Sequence, residues 1–463
     1  MQQDRPNSPA ARDVAYHFHP YTDARAHEQH GPLIITKGAG CTVTDDSGKQ
    51  YIEGLAGLWC TALGYGQERL IQAAESQMRE LAYYHSFAHK VPPSVIELSE
   101  KLLEIAPGQM GKVAFANSGS EANDTALKFI WYYNNARGRR EKKKIIARKR
   151  GYHGITIASG SLTGIPKNHM DFDLPIDGVR HATCPHYHAE AMAGESEAAF
   201  SQRLADELDQ MIQDEGPETV AAMFAEPVMG AGGVVVPPAG YWEKVQAVLK
   251  KHDVLLVADE VICGFGRTGE MFGCQTFDID PDMVTCAKAL SSAYVPISAI
   301  MMRDEIYQAI ADNTHKIGTF AHGFTYSGHP VAAAVALETL KIYEEMDVAA
   351  RVRELAPRLQ DGLRAYSDHP LVGEVRGIGL IAGVELLADK ATRTPFDPVG
   401  KVGGYLDARC RDHGVILRNL GDTLAFCPPL VIEPAQIDQI VAAFGAALEE
   451  TWEWVQREGL AAA

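Results

Sequence analysis

The stretch VLLVADEVICGFGRTG, residues 254–269, runs five apolar residues straight into two adjacent acids, Asp259 and Glu260, and then into a loop punctuated by Gly264, Gly266 and Gly269. An apolar run of this length has the composition of a strand buried on both faces, as in a parallel sheet covered by helices. An acid at the end of such a strand is partly withdrawn from water, and an unpartnered buried carboxylate is costly. Asp259 is therefore expected to face a cation, a metal or a set of hydrogen-bond donors.

Working outward, helix-period segments alternate with short apolar ones. SVIELSEKLLEIA and EANDTALKFIWYYNNA read as helices, whereas KVAFANSGS, KIIARKRGYHG and VAAMFAEPVMGAGG each read as a strand running into a loop. This is the βα alternation of a doubly wound sheet, in which sites collect at the carboxyl ends of strands. Ser118 to Ser120, Tyr152, Glu226 and Asp259 all fall there. From about Pro330 long helices mix with strand-like GLIAGVEL and LAFCPPLVI. The expected organisation is an N-terminal segment, 1–70, that joins a C-terminal small domain, 330–463, around a large domain, 71–329.

Composition excludes several classes. The 463 residues are 46% hydrophobic and 22% charged, enough for a sizeable core. No apolar h-region opens the chain and no stretch approaches the roughly 20 apolar residues of a membrane span, so the cytoplasm is the expected compartment. Eight cysteines without a C-x-x-C pair suggest reduced thiols. A formal charge of −17 argues against nucleic acid and anionic membranes. The basic run RGRREKKKIIARKR, 137–150, reads as a solvated connection into a strand. The loop HATCPHYHAE, with His181, His186 and His188 beside Cys184, lacks a recognised ligand spacing and reads as surface, so no metal is expected.

Three features then need one explanation. In ANSGSEAND, Ser118, Gly119 and Ser120 lead into a helix and offer free N–H groups, hydroxyls and the positive end of a helix dipole, which suits a phosphate as well as an ordinary N-cap. In MVTCAKALSSAY, Lys288 sits among small and apolar residues, placed either to snorkel to solvent or to form a Schiff base. The glycines of GAGGVVVPP do not open a helix, so the dinucleotide fingerprint fails. Pyridoxal 5'-phosphate (PLP) satisfies all three features: an aldehyde for Lys288, a phosphate for the serine loop and a protonated pyridine for Asp259.

The ordered motifs HFHPYTD, GLAGLWC, NSGSEAND, GYHG, EPVMGAGG, DEVICGFGRTGE, CAKALSS, HGFTYSGHP and RNLGDTLAFCPPL span nearly the whole chain. Together they resemble the class III, fold-type I PLP-dependent aminotransferases, in particular the (S)-selective amine:pyruvate ω-transaminases. The resemblance implies an α/β fold with a mainly parallel central sheet and a smaller α/β domain built from both termini. It implies that Val261 and Tyr152 flank the cofactor ring, that Glu226 supports it from below, and that Thr325 reaches the phosphate of the neighbouring subunit in a homodimer or tetramer. Two half-reactions would carry the amino group from a primary amine or ω-amino compound to a keto acid, most simply pyruvate, through a Lys288 aldimine.

Matching positions place Leu58, Phe87, Tyr152 and Ala231 around a larger pocket and Tyr21, Trp59 and Phe324 around a smaller one. Arg418 matches a mobile arginine that receives carboxylates. Ala231 stands where many ω-amino-acid relatives carry a glutamate, which weakens an ornithine or γ-aminobutyrate reading. An aminomutase, a decarboxylase or a cofactor-binding protein without turnover are the alternatives on the same scaffold.

Overall fold

The computed structural model describes residues 7–460. Its largest sheet has seven strands in the order Met110–Ala116, Ser298–Arg303, Met283–Cys286, Leu255–Asp259, Val220–Ala225, Lys144–Arg148 and Val179–Ala182. The last five pair in parallel, and Ser298–Arg303 runs antiparallel to both its neighbours. The fold is thus the α/β, fold-type I arrangement expected.

Leu255–Asp259 lies at the centre of this sheet, between two strands that are buried along their whole length. Its side chains alternate between two layers, as the period of a strand requires. Leu256 and Ala258 pack into the core that holds Trp242 and Val245, and Val257 into the core that holds Ala122, Ala126 and Phe129 of helix Gly119–Ala136. By the same parity Asp259 faces that helix and Glu260 faces away from it. The two adjacent acids therefore serve different neighbours.

Two smaller sheets complete the chain. Ile35–Ala39, Thr42–Asp45 and Gln50–Glu53 form an antiparallel ribbon whose last strand pairs in parallel with Val415–Ile416. Val372–Ile378, Ile381–Leu386, Thr423–Phe426 and Arg418–Leu420 form an antiparallel sheet. Helices Val348–Arg364 and Lys401–Asp412 pack on it, and both meet helix Pro434–Glu458. Helix Pro330–Glu345 packs against helices Glu68–Leu81 and Pro93–Ile105 and against the turn at Lys288–Ser291.

Two expectations are corrected. The basic run 137–150 is not wholly solvated, because Lys142 and Arg148 are buried. Arg148 ends an inner strand, donates to the Glu226 carbonyl at 2.5 Å and lies 5.3 Å from the Trp242 ring centroid, so its charge is held by a carbonyl and an aromatic face. Nor is the loop 181–190 all surface: Cys184 and His186 are buried. His186 can be buried because both ring nitrogens find partners, Nδ1 at 3.0 Å from Arg150 Nη1 and Nε2 at 2.7 Å from Glu374 Oε2.

Candidate active site

Asp259 is met by three donors. Asn123 Nδ2 donates to its Oδ2 at 2.8 Å, His153 Nδ1 stands 2.8 Å from the same oxygen, and the Val261 N–H donates to Oδ1 at 3.1 Å. Asn123 sits one helical turn inside Gly119–Ala136, and its own Oδ1 accepts from Thr285 on the adjacent strand at 2.9 Å, so the amide cannot rotate away. Glu260 points the opposite way and accepts from the backbone of Gly273 and Cys274 at 2.9 and 2.6 Å. Burial pushes Glu260 up to about 7, against the hydrogen bonds it accepts from Cys274 and Gly273.

At the helix start Ser118 takes the N-cap position, accepting the Glu121 N–H at 3.2 Å, while Glu121 reaches back to the Asn117 N–H at 2.7 Å. The N–H groups of Gly119 and Ser120 find no acceptor among the described residues, which leaves them, with the helix dipole, for an anion. Ser120 Oγ accepts from the Ile155 N–H at 3.1 Å and so joins this helix end to the loop that carries Tyr152. A Cβ on Gly119 would stand 3.3 Å from both Val261 methyls, so glycine lets the anion loop and Val261 close to their observed spacing.

Lys288 follows strand Met283–Cys286 and opens a short 3-10 turn with φ +48, a left-handed conformation that costs a non-glycine residue about 1–3 kcal/mol. Neighbouring hydrogen bonds hold it: Tyr343 donates to the Ala289 carbonyl at 2.7 Å and Ser292 accepts from the Leu63 N–H at 2.8 Å. Burial pushes the Lys288 ammonium down, opposed by the charges of Asp259 and Glu226. Burial also pushes Glu226 up, and its two oxygens accept from the N–H groups of Tyr152 at 2.9 Å and Gly230 at 3.1 Å. One carboxyl thereby ties the loop of Tyr152 to the loop of Ala231.

Arg418 opens strand Arg418–Leu420. It is half-buried, burial pushes its guanidinium down, and Tyr152 and Tyr21 are the groups whose fields reach it. No carboxylate of the described residues lies within ion-pair distance of it, so the ordinary surface salt bridge that competes for this residue is not made. Burial raises the Tyr152 hydroxyl, with Tyr21 as the next cause, which puts Tyr21, Tyr152 and Arg418 in one polar group. Tyr21 itself is largely exposed and accepts from Asn168 Nδ2.

The remaining predicted residues divide. Trp59, with left-handed φ +67, is buried in an apolar cluster with Leu55, Val228 and Ile262, whereas Leu58 beside it is half exposed. Ala231 is partly exposed on the turn after Glu226. Phe87, Phe324 and Thr325 come together elsewhere: a Cβ on Gly323 would stand 2.8 Å from the Phe87 ring, and Tyr83 donates to the Thr325 carbonyl at 2.7 Å. No hydrogen bond or ring contact links that surface to Lys288 among the described residues. Sequence reasoning missed Asn123 and His153, although both lie inside motifs it had singled out; Asn123, four residues after Gly119, faces the same way as the anion loop.

Known proteins give the class first. The omega transaminase from Pseudomonas jessenii, solved in complex with PMP, superposes with a TM-score of 0.96 at 54% identity over 97% of this chain and 99% of that one. A transaminase solved with L-ala superposes with a TM-score of 0.90 at 57% identity over 91% of this chain and all of that one. The fold and the site are those of a fold-type I, PLP-dependent transferase, and the residues fit the cofactor: an acid fixed by three donors, an anion loop at a helix start and a desolvated lysine. The model of the class-III aminotransferases matches residues 23–448, and this chain belongs to that family. Among curated relatives, gamma aminobutyrate transaminase 3, chloroplastic, of Solanum lycopersicum is 52% identical over 91% of this chain and 81% of its own length. Vanillin aminotransferase of Capsicum annuum is 48% identical over 92% and 93%. Among the described residues no helix is long and apolar enough to cross a membrane.

Proposed function

We propose that this aminotransferase moves an amino group from a primary amine or ω-amino compound to pyruvate in a two-half-reaction, ping-pong cycle. The observation that carries the proposal is Arg418: a half-buried guanidinium without a carboxylate partner among the described residues, grouped with Tyr152 and Tyr21. Such a group suits a substrate carboxylate, and the absence of a partner among the described residues leaves it free to turn aside for a neutral amine. Pyridoxal phosphate, when bound, supplies the carbonyl that carries the amino group and the ring that draws electrons from the substrate carbon. Lys288 Nζ, its proton loosened by burial, takes the proton from the substrate carbon and returns it. Asp259, fixed by Asn123, His153 and Val261, would supply the negative charge that pairs with the cofactor's ring nitrogen. Ser118, Gly119 and Ser120 would hold its phosphate, and Val261 and Tyr152 would flank its ring.

In this reading Thr325, Phe324 and Phe87 serve the neighbouring subunit of a homodimer. Phe87 and Thr325 are exposed and Phe324 is half-buried beside them, which supports it, with Tyr83, Tyr84 and Tyr326 extending the same apolar surface. The division at residues 70 and 330 belongs to the same proposal, supported by the pairing of Gln50–Glu53 with Val415–Ile416, as does a cytoplasmic location, which the eight free thiols suit. A second reading takes γ-aminobutyrate as the donor. The names of the tomato relatives favour it, and a free guanidinium suits that carboxylate too, although Ala231 supplies no carboxylate to neutralise Arg418 when it is not engaged. Single half-reactions followed by cofactor absorbance, with aryl-alkyl amines, putrescine, taurine, β-alanine and γ-aminobutyrate as donors and pyruvate or 2-oxoglutarate as acceptors, decide between them. Conversion by γ-aminobutyrate alone, or regeneration by 2-oxoglutarate and not pyruvate, would overturn the amine:pyruvate reading.

A further inference from the structure

Two histidine clusters lie outside the catalytic machinery, and they differ in kind. Around His186, both ring nitrogens are engaged, with the Arg150 guanidinium against the His186 ring and that of Arg376 against Glu374, so an incoming cation would meet two fixed positive charges. Near the N-terminus the surroundings are the reverse. Asp13 lies in helix Pro9–Tyr16, which ends at His17; helix Ala24–His30 carries His27; and His19 lies on the connection between them. His17 Nδ1 stands 3.3 Å from Asp13 Oδ1, while His19 Nε2 and His27 Nε2 stand 2.8 and 2.9 Å from Asp13 Oδ2. The rings crowd together, with centroids 4.3 Å apart for His17 and His19 and 4.1 Å for His19 and His27. The ion pairs of Asp13 among the described residues are with these three histidines, and no lysine or arginine joins them.

The geometry points to a binding site for one divalent transition cation of the zinc class at Asp13, His17, His19 and His27. Three imidazoles and one carboxylate are the donor set such a cation prefers, and four is its usual number. Asp13, His17 and His19 already offer ligand atoms within 4.8 Å of one another, and His27, 2.9 Å from Asp13 Oδ2, joins them by a turn of its ring. With metal–ligand bonds of about 2.0–2.1 Å, tetrahedral ligands stand about 3.3–3.4 Å apart, so the spacings of His19 and His27 to Oδ2 open by roughly half an ångström to admit the ion. His17 is 60% exposed and gives an entry path, while His27 is 11% exposed and anchors the inner side. The four ligands would close a loop that contains Tyr21, which reaches Tyr152. The cation thus pins the segment that delivers Tyr21 to the substrate group, without touching the cofactor.

The test uses holoenzyme without a polyhistidine tag, stripped by chelator and exchanged, then titrated with zinc by calorimetry and with cobalt by visible absorption. One saturable zinc per chain, an intense tetrahedral-type cobalt band and slower tryptic cleavage after Arg25 in the presence of zinc are expected. Asp13→Asn combined with His27→Ala should weaken zinc binding at least ~10-fold with cofactor absorbance unchanged, and His188→Ala should leave it unaltered. If the double variant loses cofactor absorbance, His17→Ala on the exposed side must give the ~10-fold loss in its place. Absence of a saturable equivalent, an equivalent that survives these variants, or one lost on His188→Ala overturns the proposal.

Discussion

Arg418→Ala offers the cleanest separation of binding from folding. Because the guanidinium makes no ion pair with a described residue, its removal strands no buried carboxylate, which is the usual source of large losses when one member of a pair is deleted. Burial already disfavours its charge, so thermal stability should be unchanged or slightly raised. What is lost is two parallel charge-assisted hydrogen bonds to a substrate carboxylate, together about 2–4 kcal/mol. That corresponds to roughly 30- to 1000-fold in kcat/KM. The loss should fall on pyruvate, largely through KM, while the half-reaction with an uncharged aryl-alkyl amine stays within a few-fold. The assay compares pyruvate with an uncharged aldehyde acceptor in the same variant. Equal losses for the two acceptors would refute the reasoning, because a residue that merely supports the site cannot tell a carboxylate from its absence.

Lys288→Ala should fold and hold the cofactor through its phosphate and ring contacts but lose the borohydride-reducible link to protein and nearly all turnover; mass spectrometry after reduction checks the link. Asp259→Asn places an amide NH2 either against Asn123 and His153 or against the Val261 N–H, a donor–donor conflict of about 1–3 kcal/mol in stability. Calorimetry reads that cost, and stopped-flow half-reactions read a slowing of proton transfer by ~100-fold or more. Glu53, pushed by burial up to about 7, binds its proton more tightly folded than unfolded. Its contribution to stability is therefore present below pH ~4.5 and is lost as pH rises through about 7, up to ~3 kcal/mol. Glu53→Gln should flatten the fall in Tm between pH 5 and pH 8, and an unchanged slope would clear Glu53 of the effect. Thr325→Val, on the exposed surface, should leave chain stability alone and weaken cofactor retention by about 1.5–3 kcal/mol, read by cofactor dissociation in a dimer verified by sedimentation.

Legibility in the sequence followed dimensionality. Asp259 could be found because a five-residue apolar run fixes both the strand and the position of its end, and Lys288 because charge in small apolar surroundings is anomalous wherever it occurs. The split between Asp259 and Glu260 was also implicit, since strand parity assigns them to opposite layers once the covering helices are known. His153 and Asn123 were not legible as partners of Asp259, because they come from 106 and 136 residues away and nothing local marks the approach. Lys142 misled for a related reason: a basic connection looks solvated until the strand it enters turns out to be an inner one. The cluster of Asp13, His17, His19 and His27 had a local trace in the H-x-H of HFHPYTD, but its fourth member depends on two short helices folding back on each other.

The pairing of Gln50–Glu53 with Val415–Ile416 has a bearing on the birth of the chain at the ribosome. Residue 53 emerges 362 positions before residue 415 (415 − 53), which at ~5–20 residues per second is roughly 20–70 s of synthesis. Throughout that interval one side of the N-terminal ribbon has unpaired backbone amides and carbonyls, the kind of edge that recruits strands from other molecules. A nascent polypeptide, crowded on polysomes with its siblings, depends on early shielding of that ribbon, and interruption of translation before residue 415 yields a fragment that still carries the open edge.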